Sequence, residues 1–467
     1  MVRQRRIRVG VIGMYRSGKT VLLTSLINHL LNHHPDRLTL GDGQVELGCL
    51  KSDLPPADAG FAKFEYGYYR SRLGNRVWPD KTLACSQYRC RLLVKRSEKR
   101  HEQIELTLTD MAGERLADLS MADQTYEQWS DSILELFGHL EYQSAAGEYL
   151  ALAERPGVSA DAVVATYRRV LARLIHSFLP LVSPSAFLVD ANSKHCDVLD
   201  VDSLAATRLS GLDEARQFAT LPKPVRERDV ETVARFRQHY REYRRQIVEP
   251  LAHWFTQCET LLVVTDLTML LAGGVGMYNG QKQMLSQVVD YLAPGRGPFN
   301  RWADRIVRTG SWGRFSAGDL LKLTSAGRLR MSGVRRVAFV ATKADKIHVD
   351  DHDKLLGLLH DMTRNLAVQG RFTGGLKVEE FVCAAVKSSV SLPEYPFLDA
   401  RLTTASQNGE ADLQRFETAQ VPEHWPDKWA AGDFVFPDVF PLMPSNRDLP
   451  PRHIGLDRVV NYVLAGQ

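Results

Sequence analysis

Cysteine is scarce in this chain of 467 residues, and its six cysteines form no CxxC pair and no cluster with histidine. This excludes a disulfide scaffold and a zinc site of the usual ligand spacing, and it indicates reduced thiols in a cytoplasmic protein. A large charge excess is also missing, because 59 Lys+Arg against 55 Asp+Glu give a net charge of +4. A strongly basic face for nucleic acid is therefore not expected.

Long uninterrupted apolar runs are missing as well. The best candidate, Leu261 to Met277, contains Asp266 and several glycines and threonines, and it is shorter than the ~20 apolar residues of a membrane-spanning helix. We predict a buried strand followed by a loop at this place. The apolar stretch after the basic N-terminus is too short for a secretory signal.

The first clear motif follows the apolar run Ile7–Ile12, where residues 13–20 read G-x-x-x-x-G-K-T before a helical pattern. Glycines let the backbone N–H groups of such a loop surround a phosphate, while the lysine reaches the β- and γ-phosphates and the threonine hydroxyl ligates Mg²⁺. The helix that follows directs its positive end at the same anion. The predicted nucleotide-binding residues here are Gly13, Arg16, Ser17, Gly18, Lys19, Thr20 and Val21, with Lys19 also catalytic.

Two further motifs predict a metal ion and a γ-phosphate sensor. Asp110–Gly113 has the form D-x-x-G, in which Asp110 would hold Mg²⁺ through a water molecule and the Gly113 N–H would contact the γ-phosphate. A threonine before the second strand should complete the Mg²⁺ ligands. Thr82 is the first choice for that position and Thr39 the second.

Thr342–Asp345 reads T-K-A-D and predicts selection of guanine. The Asp345 carboxylate would accept hydrogen bonds from N1–H and N2–H₂ of guanine, and the stem of Lys343 would lie over the base. Adenine offers no such donors, and an unpaired buried carboxylate discriminates strongly. Ala385, Val386 and Lys387 loosely match the loop whose N–H contacts guanine O6, although an ordinary exit from a strand explains them nearly as well.

The remaining pattern predicts an α/β fold. Alternating runs at 88–94 and 104–108, joined by a short charged turn, predict an antiparallel strand pair. Continuous apolar runs at Leu261–Asp266, Val337–Ala341 and Phe381–Ala384 are typical of buried parallel strands, and helical stretches separate them. We expect a nucleotide-binding domain split into 1–113 and 257–392, a helical insertion at 114–256, and a C-terminal wrap at 393–467 ending in a helix at Leu456–Leu464.

The three motifs occur in the order of the translation-factor and Ras-like class of P-loop GTPases, which this chain resembles. It is similar more narrowly to the YcjX family of bacterial P-loop proteins, through those motifs together with Val263–Leu267 and Pro451–Asp457. The resemblance implies a P-loop NTPase fold (Ras-like G domain) with a mainly parallel sheet, one antiparallel strand and a large helical insertion. It also implies a cytoplasmic, stress-associated protein that binds and hydrolyses GTP with Mg²⁺ and has an unidentified protein partner, such as an activating or exchange factor.

Two catalytic roles are open. Glu114 stands where Ras-like proteins carry the glutamine that orients water, so slow hydrolysis is expected. An arginine finger in cis would accelerate it, and Arg76 is the candidate, with Arg16, Arg70 and Arg72 as alternatives.

Other functions are compatible with these motifs. An ATPase or nucleotide kinase would use the same phosphate loop without a preference for guanine. A nucleotide-stabilised interaction protein would turn over negligibly. Peripheral membrane contact through Arg3, Arg5, Arg6 and Arg8 is a further possibility.

Overall fold

A computed structural model describes most of the chain as two compact units. Met1–Gly113, Gln257–Lys282 and Ser332–Gln467 form the first unit, and Glu114–Thr256 and Gln283–Met331 form the second. The described residues are 3–13, 16–43, 45–58, 61–79, 85–97, 100–111, 113–138, 140–176, 182–185, 201–202, 216–292, 333–374, 376–403, 412–446 and 448–465.

The first unit is organised around a twisted sheet. Its strands are β1 (Arg3–Gly13), β2 (Glu46–Leu54), β3 (Ala62–Lys63), β4 (Ser86–Ser97), β5 (Arg100–Asp110), β6 (Thr260–Thr265), β7 (Arg336–Ala341) and β8 (Lys377–Val382). Their order is β2-β4-β5-β1-β6-β7-β8, with the short β3 beside β4. Strands β5, β1, β6, β7 and β8 are parallel, whereas β4 runs antiparallel to β5 and to β2. The predicted antiparallel pair and the mainly parallel sheet are confirmed.

Eleven α-helices are described. They are α1 (Lys19–Leu31), α2 (Tyr66–Gly74), α3 (Tyr126–Phe137), α4 (Leu140–Ala153), α5 (Ala160–His176), α6 (Lys223–Arg228), α7 (Val230–Tyr243), α8 (Glu249–Gln257), α9 (Leu267–Leu292), α10 (His352–Gly374) and α11 (Leu456–Leu464). Alternate β1 residues such as Val9 and Val11 share one apolar core with Leu26 of α1 and Val460 of α11. One sheet face is therefore buried by the first and last helices of the chain.

The loop predicted after β6 is wrong, because helix α9 begins there. The Asp266 carboxylate accepts a hydrogen bond from the Met269 N–H at 3.0 Å and so caps the first turn of this helix. The helix changes direction at Gly274, which has φ 82° and lies against the backbone of Ala430 and Ala431. Among the described residues, no helix is long and apolar enough to cross a membrane.

The C-terminal part contains more regular structure than a wrap of loops. β9 (Ser389–Ser391), β10 (Phe397–Ala400) and β11 (Gln414–Glu417) form an antiparallel sheet in the order β11-β10-β9. The closing helix α11 spans Leu456–Leu464, as the sequence predicts.

The second unit has an aromatic core in its described part. Helices α3, α4, α5 and α7 contribute tryptophan, tyrosine and phenylalanine side chains that meet edge to face, a favourable geometry for aromatic rings. The contacts join Trp129, Phe137, Tyr149, Tyr167, Phe218 and Tyr240. Polar atoms of this core are also paired, since the Trp129 Nε1–H donates to Ser183 Oγ at 2.7 Å.

A buried carboxylate, Asp118, fixes the start of the second unit. It lies in the 3₁₀ helix Gly113–Asp123 and accepts hydrogen bonds from the Ser185 N–H at 2.7 Å, the Ser185 hydroxyl at 2.6 Å and the Tyr243 hydroxyl at 2.8 Å. Burial raises the pKa of Asp118, although Arg115 and the three donors oppose the shift. The short helix is therefore tied to the helical core by three hydrogen bonds.

We expect Asp118→Ala to lower the free energy of unfolding by about 3 kcal/mol, because three buried donors lose their acceptor. Asp118→Asn should cost less than about 1 kcal/mol, since both hydroxyls can rotate to accept from the new amide. A raised pKa also means that stability falls as pH rises from the ordinary value of 3.8 through the folded pKa, and Asp118→Asn should remove this slope. Urea unfolding at several pH values measures both effects, and equal losses in the two variants would contradict the assignment.

Candidate functional site

The three sequence motifs meet at one edge of the sheet. Gly13, Asp110 and Thr265 end the parallel strands β1, β5 and β6, and Thr342 directly follows β7. The strands that follow β1 lie on both sides of it, with β5 on one side and β6 on the other, so this edge is the topological switch point at which α/β proteins bind ligands.

The phosphate loop has the backbone geometry that its glycines require. A Cβ at Gly13 would lie 2.2 Å from the Val264 carbonyl oxygen, so the close approach of β6 admits only glycine. Gly18 has φ 89° and precedes α1, which carries no acidic residue in its first turn. Arg16 also has a positive φ, 59°, a strained conformation that concentrates at functional sites. No acidic side chain in the first turn of α1 therefore competes with an anion for the positive end of the helix.

Lys19 and Thr20 start α1 beside the strand ends. The Lys19 Nζ donates to the Gly13 carbonyl oxygen at 2.8 Å, which closes the loop on itself. The Thr20 Oγ1 lies 3.4 Å from the Asp110 Oδ2, and Asp110 is fully buried. Hydroxyl and carboxylate oxygens are the hard ligands that Mg²⁺ prefers, and Mg²⁺ usually keeps several of its waters. Thr20 and Asp110 are therefore the residues that could hold the ion.

Thr342 joins the T-K-A-D loop to the predicted phosphate loop. Its Oγ1 donates to the Ser17 carbonyl oxygen at 2.6 Å and lies 3.3 Å from the Thr265 carbonyl oxygen. The Thr342 N–H also donates to the Thr265 carbonyl oxygen, at 2.9 Å. The T-K-A-D loop is thus fixed relative to the phosphate loop.

Lys343 is held in place by a residue that the sequence motifs omitted. Its Nζ lies 2.7 Å from the Oδ2 of buried Asp266, and its backbone is left-handed, with φ 57°. Burial alone would raise the pKa of Asp266, but Lys343 and the Thr268 hydroxyl outweigh it and lower that pKa. Asp266 therefore stays ionised and orients the Lys343 stem. The sequence signals for Asp266 were its place at the end of an apolar strand and its position within Val263–Leu267, a stretch that carries the family resemblance.

Asp345 is buried and positioned by Ser388. The Ser388 N–H donates to the Asp345 Oδ2 at 2.5 Å, and the Ser388 hydroxyl donates to the same oxygen. Burial raises the pKa of Asp345, while the Ser388 hydrogen bonds oppose the rise. Ser388 is a second residue that sequence reasoning missed, although it directly follows the candidate stretch Ala385–Lys387.

The C-terminal tail holds the loop that contains Ala385, Val386 and Lys387. Ala384 and Ile454 form a two-way backbone bridge, and the Lys387 N–H donates to the Arg452 carbonyl oxygen at 2.9 Å. The Ala385 carbonyl oxygen accepts from the Ser25 hydroxyl of α1 at 2.5 Å. Because the Lys387 N–H is already used, a contact with guanine O6 would fall to Ala385 or Val386.

Three predicted residues cannot be placed fully. Thr82 lies outside the described residues. Gly113 and Glu114 begin the 3₁₀ helix Gly113–Asp123, and only their backbone is described. Their roles therefore stay predictions.

Thr39, the alternative to Thr82, lies away from the phosphate loop. Its carbonyl oxygen accepts from Asn461 of α11 at 3.0 Å. The nearby Tyr462 hydroxyl donates to Val337 and Lys377, at the opposite, starting ends of β7 and β8. Thr39 is therefore badly placed to ligate a metal ion at Thr20.

Arg76 has a local structural role at the end of α2. Its N–H donates to the Leu73 carbonyl oxygen at 2.8 Å, the Val77 N–H donates to Arg72 at 2.9 Å, and its φ is 58°. These are the two hydrogen bonds of a Schellman motif, with Arg76 in the left-handed position that usually favours glycine. Its action as an arginine finger stays a prediction.

The sheet order, the phosphate loop and the strand-end aspartate define a P-loop NTPase of the Ras-like type. Residues 7–467 match the YcjX-like family, DUF463, and the chain belongs to that family. A relative from Escherichia coli (strain K12), named "Ras-like GTPase YcjX", is 24% identical over 492 residues, which cover 98% of this chain and 95% of the relative. A protein of the same name from Shewanella oneidensis is 24% identical over 514 residues, covering 98% and 94%.

Proposed function

We propose that this protein binds GTP and GDP with Mg²⁺, hydrolyses GTP slowly, and works as a nucleotide-dependent switch. The hydrogen bond from Thr342 Oγ1 to the Ser17 carbonyl oxygen carries the proposal, because it sets the base-selecting loop at a fixed position relative to the phosphate loop. The name "Ras-like GTPase" of the two relatives supports the same activity.

The arrangement at Asp345 favours guanine. A carboxylate has about four lone-pair positions, and Ser388 uses two of them on one oxygen. The remaining capacity suits the N1–H and N2–H₂ donors of guanine. Adenine would leave the buried carboxylate without those partners, which costs binding energy.

Several residues of this chain would have separate roles in hydrolysis. Lys19 and the N–H groups at the start of α1 would bind the β- and γ-phosphates and stabilise the charge that develops on them. A Mg²⁺ ion held by Thr20 and Thr82 and, through a water molecule, by Asp110 would neutralise phosphate charge. Gly113 would contact the γ-phosphate and Glu114 would orient water, and a carboxylate in that place is repelled by phosphate, so hydrolysis should be slow. A stress-response role in the cytoplasm, with an activating or exchange partner, completes the proposal.

The rate of turnover decides between a switch and a nucleotide-stabilised interaction protein. Glu114 in place of glutamine is the observation that favours the second function. Multiple-turnover GTP hydrolysis with and without a cell extract separates the two, because only a switch should be accelerated by an activating partner.

Titration calorimetry of the nucleotide-free protein with GDP and ADP tests the base preference. We expect GDP to bind at least ~10³-fold more tightly than ADP, because the site is built on hydrogen bonds to the base. Chelation of Mg²⁺ should weaken GTP binding. Equal affinities for GDP and ADP would overturn the assignment of guanine specificity, and an ATPase would then be the better-supported function.

A further inference from the structure

The four arginines at the start of β1 have different surroundings. Arg5 donates to the carbonyl oxygens of Leu464 and Ala465 at 3.3 and 3.0 Å, so it caps the C-terminal end of α11. Arg3 lies 3.9 Å from Glu102. Arg6 and Arg8 point to the sheet face opposite the apolar core, since the alternate residues Ile7 and Val9 are buried. The four arginines therefore do not form one basic stripe, because Arg6 and Arg8 lie on the sheet face opposite Arg3 and Arg5.

The strand register gathers further arginines around Arg6 and Arg8. Arg6 pairs with Glu105 of β5, which pairs with Arg91 of β4. Arg8 pairs with Thr107 of β5. Thr107 in turn pairs with Arg89 of β4. Two neighbouring rows across three strands therefore carry Arg–Glu–Arg and Arg–Thr–Arg on one face.

These rows line a recess that we name the arginine cavity. Its volume is about 190 Å³, and its walls are Arg6, Arg8, Ala57, Arg89, Glu105 and Thr107. It is small and partly covered by the chain that follows β2. A ligand of a few heavy atoms fits this volume.

The carboxylates near the cavity do not balance its arginines. Glu105 accepts from Arg89 at 2.8 Å and Arg91 at 3.3 Å, and Asp58 lies 3.6 Å from Arg8, beyond hydrogen-bond distance. Among the residues that line the cavity, Arg6, Arg8 and Arg89 are positively charged and Glu105 is negatively charged.

Hydrogen-bond donors in the cavity also lack acceptors. The buried Arg8 Nη1 and Arg89 Nε have no hydrogen-bond partner in the described structure. Within that same part of the chain, the Arg6 guanidinium makes no hydrogen bond or ion pair. Buried donors without acceptors are costly, and a bound anion would satisfy them.

We propose that the arginine cavity binds a small dianionic phosphate group, either inorganic phosphate or a phosphate monoester. Guanidinium groups from two strands offer paired N–H donors of the kind that bind phosphate oxygens, and the arginines outnumber the carboxylate among the lining residues. The site is separate from the phosphate loop, because five residues of extended β1, roughly 16 Å, separate Arg8 from Gly13. The inference does not rest on the proposed nucleotide function.

Calorimetric titration with inorganic phosphate tests the site in the full-length Lys19→Ala protein, where the phosphate loop is weakened. We expect Arg6→Gln/Arg8→Gln to lose at least ~10-fold in phosphate affinity, since the variant removes charged hydrogen bonds to the anion. Arg228→Gln/Arg241→Gln removes the same charge from exposed positions on the second unit and should leave the affinity unchanged. Arg6→Gln alone changes an exposed side chain, and its phosphate affinity provides a second test if the double variant unfolds.

Two outcomes would overturn the proposal. In the first, phosphate does not bind, or it binds equally to the cavity and control variants. In the second, phosphate has no effect, but the protein co-sediments with phosphatidic acid vesicles and the Arg6→Gln/Arg8→Gln variant does not. That result would assign these arginines to a membrane surface instead.

Discussion

Asp345→Asn should weaken GDP binding by about 10²- to 10⁴-fold. Two hydrogen bonds to a charged acceptor are worth about 3–6 kcal/mol together, and the asparagine amide would oppose the N2–H₂ of guanine. The same variant should prefer XDP over GDP, because the xanthine O2 accepts a hydrogen bond from the new amide. Calorimetric titration with GDP, XDP and ADP measures the change.

Asp350→Asn is the matched control for this variant. It makes the same chemical change five residues away, on a side chain that is 68% exposed, and it should leave GDP binding unchanged.

Because burial raises the pKa of Asp345, the wild-type affinity for GDP should also fall as the pH drops through that pKa and the carboxylate gains a proton. Unchanged GDP affinity in Asp345→Asn, or a base preference that does not shift, would refute the assignment of Asp345.

Lys19→Ala should lower GTP affinity by about 10²-fold and bring single-turnover hydrolysis close to zero. The ammonium group stands at the start of α1, where its hydrogen bond to Gly13 shows that it reaches across the loop. A charged hydrogen bond to phosphate is worth up to about 3 kcal/mol, and the developing charge in hydrolysis depends on the same group. Fluorescent GTP binding and phosphate release are the measurements.

The effect of Lys19→Ala should be local. The free energy of unfolding without nucleotide should change by less than about 1 kcal/mol, because no large apolar group is removed. Lys51→Ala, an exposed change on β2, should alter neither binding nor hydrolysis. Normal GTP binding by Lys19→Ala would exclude residues 13–20 as the phosphate site.

The sequence was most informative where local pattern and local chemistry coincide. The apolar runs at 261–266 and 337–341 match β6 and β7 within a residue, because a buried parallel strand must be apolar on both faces. The prediction of a loop after β6 was wrong because the glycines near 274 suggested a turn. These glycines lie in helix α9, which bends at Gly274, where the helix lies against Ala430 and Ala431. That contact joins residues about 155 positions apart and leaves no local pattern.

The sequence by itself determined the mainly parallel sheet, and it predicted the phosphate loop and the aspartate that we propose selects guanine, since each depends on residues that are close together along the chain. Only the tertiary structure decided that Ser388 holds Asp345, that Asp266 holds Lys343, and that Thr342 joins the two loops. It also gathered Arg6, Arg8 and Arg89 around one cavity. The physical reason is the register of the strands, which brings distant residues within hydrogen-bond distance and cannot be inferred from any one segment.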